Sequence, residues 1–420
     1  MNRPTHYLIP ALALLVIGTA PVSAGDIETD LEVRWRAFGD KRSFSEAAKV
    51  SGHQELRTRL SMMYGMNRSA QAKLTVQDSR IHGAPSSGNT MGDSNLGVYE
   101  AYLMLNELFS DNLALQAGRF PLDYGNGRVL SEFNWDNNGR TWDAVRATIS
   151  NEKVAVDLFQ GRLMERTTSL NPAAAFDSPD RDLFGLYVMF LDQMVDVYYL
   201  FDYDGNTIGE DRALRRSTAG VYTARDFADK FDYSFNGAFQ FGDAHPTAIA
   251  KTAAEEKIDL AAFMVNFEIG ATTEMGDKSN RAAIGVDFTS GDDPEEADFG
   301  AYDNLYHDAH GFNGWMDIVS TGSAGLIDVY VADYFKPMKG VKFGGEVHYF
   351  MTHQDFTSRV DSDETSKNVG LEVDLFAKKY IDDNAMVGIV AGGFFPTEDY
   401  AGEGADPAVW GYLQASVDLP

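Results

Sequence analysis

The sequence predicts an all-β fold, a transmembrane antiparallel up-and-down β-barrel of about 18 strands with short periplasmic turns and long extracellular loops. Three observations predict it. The chain starts with an export signal, its segments alternate apolar and polar residues over about ten positions, and its connections alternate between short and long. The expected organisation is a signal peptide over residues 1–24 and a single barrel over residues 25–420.

Residues 1–24 have the pattern of a cleavable signal peptide. Arg3 supplies a positive charge, residues 7–20 are apolar, and residues 22–24 (Val-Ser-Ala) form a small-residue cleavage site. The apolar run is too short for a span of about 20 residues and contains Pro10, which argues against a retained anchor. We therefore expect export across the inner membrane.

The strands are predicted from period-two alternation. Between Asp26 and Ala37, charged residues alternate with residues that are apolar or Thr. Because successive side chains of a strand point to opposite faces, this pattern predicts one apolar face and one polar face. Its length exceeds the usual 5–6 or so residues of a soluble strand and suits a tilted transmembrane strand. The same pattern recurs in residues 55–64, 71–77, 233–241, 341–349 and 369–377.

Connection lengths give a second, independent signal. Short turns are expected near residues 67–69, 151–152, 192–193 and 382–384. Long polar loops are expected near residues 81–96, 121–140, 163–182, 243–256, 291–324, 352–367 and 396–407. This asymmetry is typical of barrels in the outer membrane of Gram-negative bacteria. Expected partners are outer-membrane lipids, lipopolysaccharide and the barrel-assembly machinery, although the chain ends in Leu419-Pro420 rather than in the aromatic residue common in such barrels.

Composition excludes several other classes of function. The chain has no Cys, which rules out disulfides, thiol catalysis and iron–sulfur clusters, and its net charge of −28 argues against nucleic-acid binding. The eight His residues form no zinc-protease motif, so we expect neither an enzyme nor a cofactor. The pair His307 and His310 and the acidic stretch 291–298 are weak candidates for metal binding, and a solvated loop is the favoured interpretation of the latter.

Charge is distributed unevenly along the chain. The segment before Leu163 is nearly balanced, and the acidic excess follows it. The first strands carry cations on their polar faces, which makes the lumen a candidate anion path; these are Arg34, Arg36, Arg57, Arg59 and Lys73. Guanidinium groups match carboxylates through two parallel N–H donors, but each Arg could equally brace the wall against Glu32 or Glu55.

Residues 118–146 resemble the signature of the alginate export family of outer-membrane porins. The matching positions are Gly118, Arg119, Tyr124, Gly125, Arg128, Trp135, Asn137, Gly139, Arg140, Thr141, Asp143 and Arg146. Residues 232–242 and 290–314 are also similar to family segments. The resemblance implies an 18-stranded barrel whose Arg- and Lys-rich lumen conducts an acidic polysaccharide outward.

The resemblance adds further residues to the candidate solute path. Arg119, Arg128, Arg140 and Arg146 would join the lumenal cations, with Asp143 orienting Arg140 or Arg146 rather than contacting solute. Tyr124 and Trp135 could stack on sugar rings or simply pack within an inward-folded loop. All of these residues belong to the segment that resembles the family signature.

Three functions remain open at this point. The first is a channel that passes an anionic polysaccharide or oligosaccharide, the second a nutrient-uptake porin for small hydrophilic solutes, and the third a structural barrel plugged by its loops. Some acidic residues also lie on strand faces and would give a lumen of mixed sign; these are Asp196, Asp328, Glu346, Glu372 and Asp374.

Overall fold

The computed structural model of the protein describes residues 26–66, 69–82, 96–164, 180–204, 214–243 and 258–420. The predicted signal peptide lies outside the described residues, as do most of the predicted loops 81–96, 163–182 and 243–256. The description below concerns the described ranges.

These ranges form 18 strands. Their bounds are β1 Asp26–Lys41, β2 Ser51–Met66, β3 Ala70–Ile81, β4 Leu96–Leu105, β5 Leu113–Phe120, β6 Trp142–Ser150, β7 Val154–Met164, β8 Arg181–Phe190, β9 Val195–Asp204, β10 Leu214–Phe227, β11 Phe231–Asp243, β12 Asp259–Met275, β13 Lys278–Thr289, β14 Leu326–Met338, β15 Val341–Thr357, β16 Thr365–Tyr380, β17 Ala385–Pro396 and β18 Ala408–Leu419. Between them lie a 3₁₀ turn, Gly322–Ala324, and a one-turn helix α1, Glu398–Ala401. None of the helices in the described residues is long and apolar enough to cross a membrane.

Every strand pairs antiparallel with its neighbours in sequence, and β1 also pairs with β18. This last pairing runs from Leu31 opposite Leu419 to Lys41 opposite Val409 and closes the sheet into a cylinder. Closure removes the free edges that an open sheet would expose and satisfies the backbone polar groups within the sheet. The predicted 18-stranded, antiparallel, up-and-down barrel is confirmed.

The alternation in the sequence corresponds to the two faces of the wall. In β11, Phe239 and Phe241 are exposed on the outside, whereas the alternate residues Ala238 and Gln240 are buried in the lumen. In β1, Arg34 and Arg36 are buried on the inner face. The apolar outer face suits lipid, and the polar inner face carries charged side chains such as Arg34 and Arg36.

Two details differ from the sequence prediction. β15 and β16 continue through most of the predicted loop 352–367, so their connection is only residues 358–364. Val369 was expected on the apolar outer face with Leu371, but it is fully buried. The pairing of β15 with β16 shifts register at this point, and this bulge turns Val369 toward the interior.

Candidate functional site

Two long connections fold into the lumen and meet there. We name residues 121–141, between β5 and β6, the first inward loop, and residues 290–325, between β13 and β14, the second inward loop. Their backbones pair directly: Ser131 N–H donates to Tyr306 O at 2.9 Å, and Tyr306 N–H donates to Val129 O at 3.1 Å. The two loops therefore fold together inside the barrel as one unit.

Arginines of β1 and β2 hold the tip of the first inward loop. Arg34 donates to the carbonyl oxygens of Asn134 at 2.7 Å and Asp136 at 2.8 Å. Arg36 donates to Trp135 O at 2.6 Å, and Arg57 donates to Asn134 O at 2.9 Å. These guanidinium groups lie in the lumen, but their donors are engaged by main-chain carbonyls of the loop.

The remaining predicted cations of this wall have protein partners as well. Arg59 lies over the ring of Tyr99, 3.6 Å from its centroid, and donates to Gln77 Oε1 at 2.6 Å. Lys73 pairs with Glu100 at 2.7 Å. Together with the Arg57–Glu32 pair, these contacts make the inner face of β1 to β4 a connected, braced surface.

Cations within the first inward loop fix its position. Arg128 is fully buried and forms two hydrogen bonds with Asp287 of β13, at 2.7 and 2.8 Å. Arg140 donates to the carbonyl oxygens of Ser131 and Tyr306, which links the two loops.

Three other predicted residues also lie inside. Tyr124 stacks on Tyr187, with 4.3 Å between ring centroids, and donates to Asp157 at 2.7 Å. Trp135 stacks on His310 at 3.8 Å, and Arg146 donates to Gln116 Oε1 at 2.6 Å. Both aromatic rings thus already pack against rings of the protein.

Arg119 and Asp143 differ from the others because they lie on the outer face of the barrel. They pair with each other at 2.7 Å, and their side chains are 43 % and 61 % exposed. The neighbouring Phe120 and Trp142, which have the opposite parity, are buried in the lumen. The sequence expectation that Arg119 and Asp143 face the lumen is therefore wrong, since strand parity directs both outward. Asp143 also pairs with Arg119, whereas the sequence predicted a pairing with Arg140 or Arg146.

A second wall, from β12 to β16, is acidic, and its strand β16 holds the second inward loop. Glu372 of β16 accepts a hydrogen bond from Met316 N–H at 2.9 Å, and Asp374 accepts one from Trp315 N–H at 3.3 Å. The two walls therefore hold the inward loops through groups of opposite charge. Arginines of β1 and β2 bind loop carbonyl oxygens, and carboxylates of β16 bind loop N–H groups.

A histidine sits between two carboxylates on the same wall. His348 of β15 lies 2.9 Å from Asp328 through Nδ1 and 3.0 Å from Glu346 through Nε2. One imidazolium can supply at most one positive charge against these two carboxylates. The sequence put Asp328, Glu346, Glu372 and Asp374 on strand faces, and the structure places all four on the inner face.

Two cavities adjoin the second inward loop. The inner cavity, of about 230 Å³, is lined by carboxylates that include Glu268, Asp287, Asp328 and Glu346. The outer cavity, of about 390 Å³, is enclosed largely by the second inward loop itself. Phe312 and Asn313 line both cavities and therefore separate them.

A third cavity, of about 850 Å³, opens at the periplasmic turns of β12 to β17. Its lining includes five lysines, which are Lys278, Lys336, Lys339, Lys342 and Lys379. Acidic residues of the same turns, among them Asp277 and Asp382, offset part of this charge. The sequence analysis did not single out these lysines, because they are scattered over separate turns that only the barrel brings together.

The two histidines of the second inward loop have different surroundings. Burial lowers the pKa of His307 to about 3, and the nearby Arg128 and Arg140 act in the same direction, so this ring is neutral at physiological pH. His310 lies 3.0 Å from Asp317 and under the ring of Trp135. Within the described residues, no group of three or more acidic or histidine side chains is arranged to hold a metal ion.

The acidic stretch 291–298 forms local turns. Asp292 accepts a hydrogen bond from Gly300 N–H at 3.0 Å, and Asp293 accepts one from Glu295 N–H at 2.9 Å. Side-chain oxygens of the stretch are thus used on its own backbone.

Comparisons with known proteins agree with this architecture. The sequence model for alginate export proteins matches residues 26–407. No curated protein matches the chain by sequence.

Several solved structures share the fold at low sequence identity. OccK9 (OpdG) of Pseudomonas aeruginosa is 12% identical, with a TM-score of 0.60 over 94% of this chain and 98% of that chain. OpdK of the same organism, in a structure with vanillate, is 11% identical, with a TM-score of 0.59 over 94% and 98% of the two chains. OccAB4 of Acinetobacter baumannii is 10% identical, with a TM-score of 0.60 over the same shares.

Proposed function

Since the chain belongs to the alginate export family and is an outer-membrane porin-like barrel, we propose that it is a passive, non-enzymatic channel for small hydrophilic solutes. The solute would pass beside the acidic wall formed by β12 to β16. The observation that carries this proposal is the engagement of Arg34, Arg36 and Arg57 by the first inward loop. Guanidinium groups that bind loop carbonyls cannot at the same time bind a row of solute carboxylates.

The volumes of the two cavities and the charge of the inner cavity support the proposal. An 18-stranded barrel leaves a water-filled lumen unless something occupies it, and here two loops meet across it. The cavities beside them, of about 230 and 390 Å³, are suited to small molecules rather than to a polymer several sugars long. Four carboxylates line the inner cavity, and the cations that pair with them are Arg128, Arg281 and His348. The net charge is therefore negative, and the cavity would disfavour anions.

One protein with the same fold is consistent with a small solute. OpdK, which shares the fold, has been solved with vanillate, a small organic acid. Folds carry many functions, so this relative supports a small solute but not a particular one.

An anionic polysaccharide is the second candidate, and two observations favour it. The family model is that of alginate export, and five lysines line the periplasmic cavity, where a polyanion leaving the cell would enter. In this alternative the arginines of the predicted path would become available to the solute only if the inward loops moved. These arginines are Arg34, Arg36, Arg57, Arg59, Arg128, Arg140 and Arg146.

Liposome swelling tests the choice between the candidates. Purified protein is reconstituted into vesicles, and swelling rates are measured with neutral sugars of increasing size and with alginate oligosaccharides. The proposal expects swelling with monosaccharides and little with either trisaccharides or alginate oligomers. Faster entry of alginate oligomers than of neutral sugars of equal length would establish the second candidate, and no swelling with any solute would indicate a plugged structural barrel.

A further inference from the structure

Phe312 and Asn313 form the boundary between the two cavities beside the second inward loop. Both residues line the inner cavity of about 230 Å³ and the outer cavity of about 390 Å³, and no other described residue lines both. The two residues are half-buried, whereas Gly314 next to them is buried. Since this loop lies inside the barrel, the part of Phe312 and Asn313 that stays accessible is lumenal surface.

The ring of Phe312 lies against one fixed group, the guanidinium group of Arg128. Cζ of Arg128 is 5.4 Å from the ring centroid. Nε and Nη2 of this arginine bind Asp287, while Nη1 is buried and has no hydrogen-bond partner. The face of an aromatic ring attracts a cation, so the contact with Arg128 favours one position of the ring.

The backbone beside the ring is held, whereas the ring has room to turn. Asn313 and Gly314 have φ angles of 65° and 80°, and the N–H groups of Trp315 and Met316 bind the acidic wall. A ring bordered by cavities has fewer atoms around it than a ring in a packed core, so fewer dispersion contacts hold it in place. Phe312 can therefore change its side-chain angle while the loop stays where it is.

Phe312 is also an apolar element between two polar compartments. Carboxylates that include Asp328 and Glu346 line the inner cavity, and the outer cavity is lined in part by Asn304 and His307. Hydrated solutes are accommodated by polar walls, whereas an apolar constriction excludes water and closes a pore to ions. A single ring at this boundary therefore controls the width of the opening and its wetting.

We propose that Phe312 is the gate of the solute path and the residue that sets its size limit. In its position over Arg128 the ring separates the two cavities, and rotation away from Arg128 joins them. A solute passes only if it fits through the opening that one ring leaves when it turns. This inference rests on the proposed function, because it names the specificity-determining residue of that channel.

A substitution with a matched control tests the gate. Phe133 of the first inward loop also lies over a guanidinium group, with Cζ of Arg140 5.4 Å from its ring centroid, but it lines neither cavity. Phe312→Ala should raise single-channel conductance about twofold or more and should admit trisaccharides in the liposome-swelling assay. Phe133→Ala should do neither, and Phe312→Trp should lower the conductance. Heat-modifiable migration on gels checks that every variant is folded.

The absence of cysteine from the chain allows a direct test of the position of the gate. Phe312→Cys carries a single thiol, to which a methanethiosulfonate reagent adds a bulky group during the recording. We expect the current to fall in steps in Phe312→Cys and to stay constant in Phe133→Cys. An unchanged current in Phe312→Cys after modification that mass spectrometry shows to be complete would overturn the gate.

The same recordings separate the gate from the proposed function. A conducting wild type whose conductance and size limit do not change in Phe312→Ala would overturn the gate and leave the channel function standing. Conductance in Phe312→Ala but not in the wild type would support the gate and contradict a permanently open channel. No conductance in either protein would overturn both.

Discussion

Arg128 of the first inward loop and Asp287 of β13 form a fully buried, two-point ion pair on the inner face of the barrel wall. Nε lies 2.7 Å from Oδ2, and Nη2 lies 2.8 Å from Oδ1. The two side chains are 0 % and 2 % exposed, so neither charge has access to water. The pair joins the loop to the acidic wall and thereby sets the position of both inward loops.

Loss of Arg128 should therefore destabilise the protein. Arg128→Met leaves the Asp287 carboxylate buried and unpaired, which typically costs about 3–5 kcal/mol. We expect a lower midpoint of unfolding in guanidinium chloride, measured by tryptophan fluorescence in detergent.

An exposed ion pair beside the connection between β15 and β16 provides the matched control for this substitution. Lys367→Met breaks the pair of Lys367 with Asp355, whose side chains are 51 % and 55 % exposed, and such pairs contribute about 0–1 kcal/mol. The midpoint of Lys367→Met should stay close to that of the wild type. Equal destabilisation by the two substitutions would contradict the role given to Arg128.

Arg34 and Arg57 should control how far the first inward loop narrows the lumen. Both donate to the carbonyl of Asn134, and hydrogen bonds to charged groups contribute about 1.5–3 kcal/mol each. The double substitution Arg34→Gln/Arg57→Gln should free the tip of the loop and raise single-channel conductance and current noise. Arg215→Gln, at an exposed position of β10, is the control. A conductance equal to that of the wild type would argue that the loop is held by other contacts.

Gly314 should tolerate no side chain. Its φ of 80° favours glycine, and a Cβ at this position would overlap the carboxylate of Glu372. Gly314→Ala should cost about 1–3 kcal/mol from the backbone conformation alone and should displace the N–H groups of Trp315 and Met316 from the acidic wall. Gly276→Ala is the control, because its φ of 63° is also positive but a Cβ there would meet open space. Similar unfolding midpoints for the two variants would show that contact with Glu372 is unimportant.

Acid should weaken the packing of the second inward loop through His307. Its pKa is about 3 in the folded protein and near 6.5 when unfolded, so the unfolded state binds more protons between these values. Stability contributed by the neutral ring is complete above about pH 6.5 and falls as the pH decreases toward 3. His307→Gln should reduce the acid sensitivity of the thermal midpoint between pH 7 and pH 4, whereas His82→Gln should not. An unchanged pH profile would contradict the burial of the neutral ring.

The barrel itself was predictable because lipid imposes a simple rule on every strand. Each side chain between Asp26 and Ala37 faces either lipid or the lumen, and apolar and charged residues alternate accordingly along the sequence. Local irregularities escape this rule. The bulge at Val369 depends on pairing with Phe350 and Met351, which are far away in sequence.

The site was only partly predictable, for the same reason. Strand parity placed Arg34 and Glu346 inside, but family similarity gave Arg119 a lumenal position that the strand parity reverses. What each lumenal charge binds depends on the path of two long loops. No local pattern shows that Arg34 binds the carbonyl of Asn134 or that Glu372 binds the N–H of Met316.

The central claim is that solutes pass beside the acidic wall while the arginines hold a loop. The reversal potential of single channels in a planar bilayer, measured across a potassium chloride gradient, tests it most directly. The account predicts a potential of the sign that a cation-preferring pore gives, and a shift toward zero in Asp328→Asn/Glu346→Gln. An anion-preferring reversal potential in the wild-type protein would contradict it.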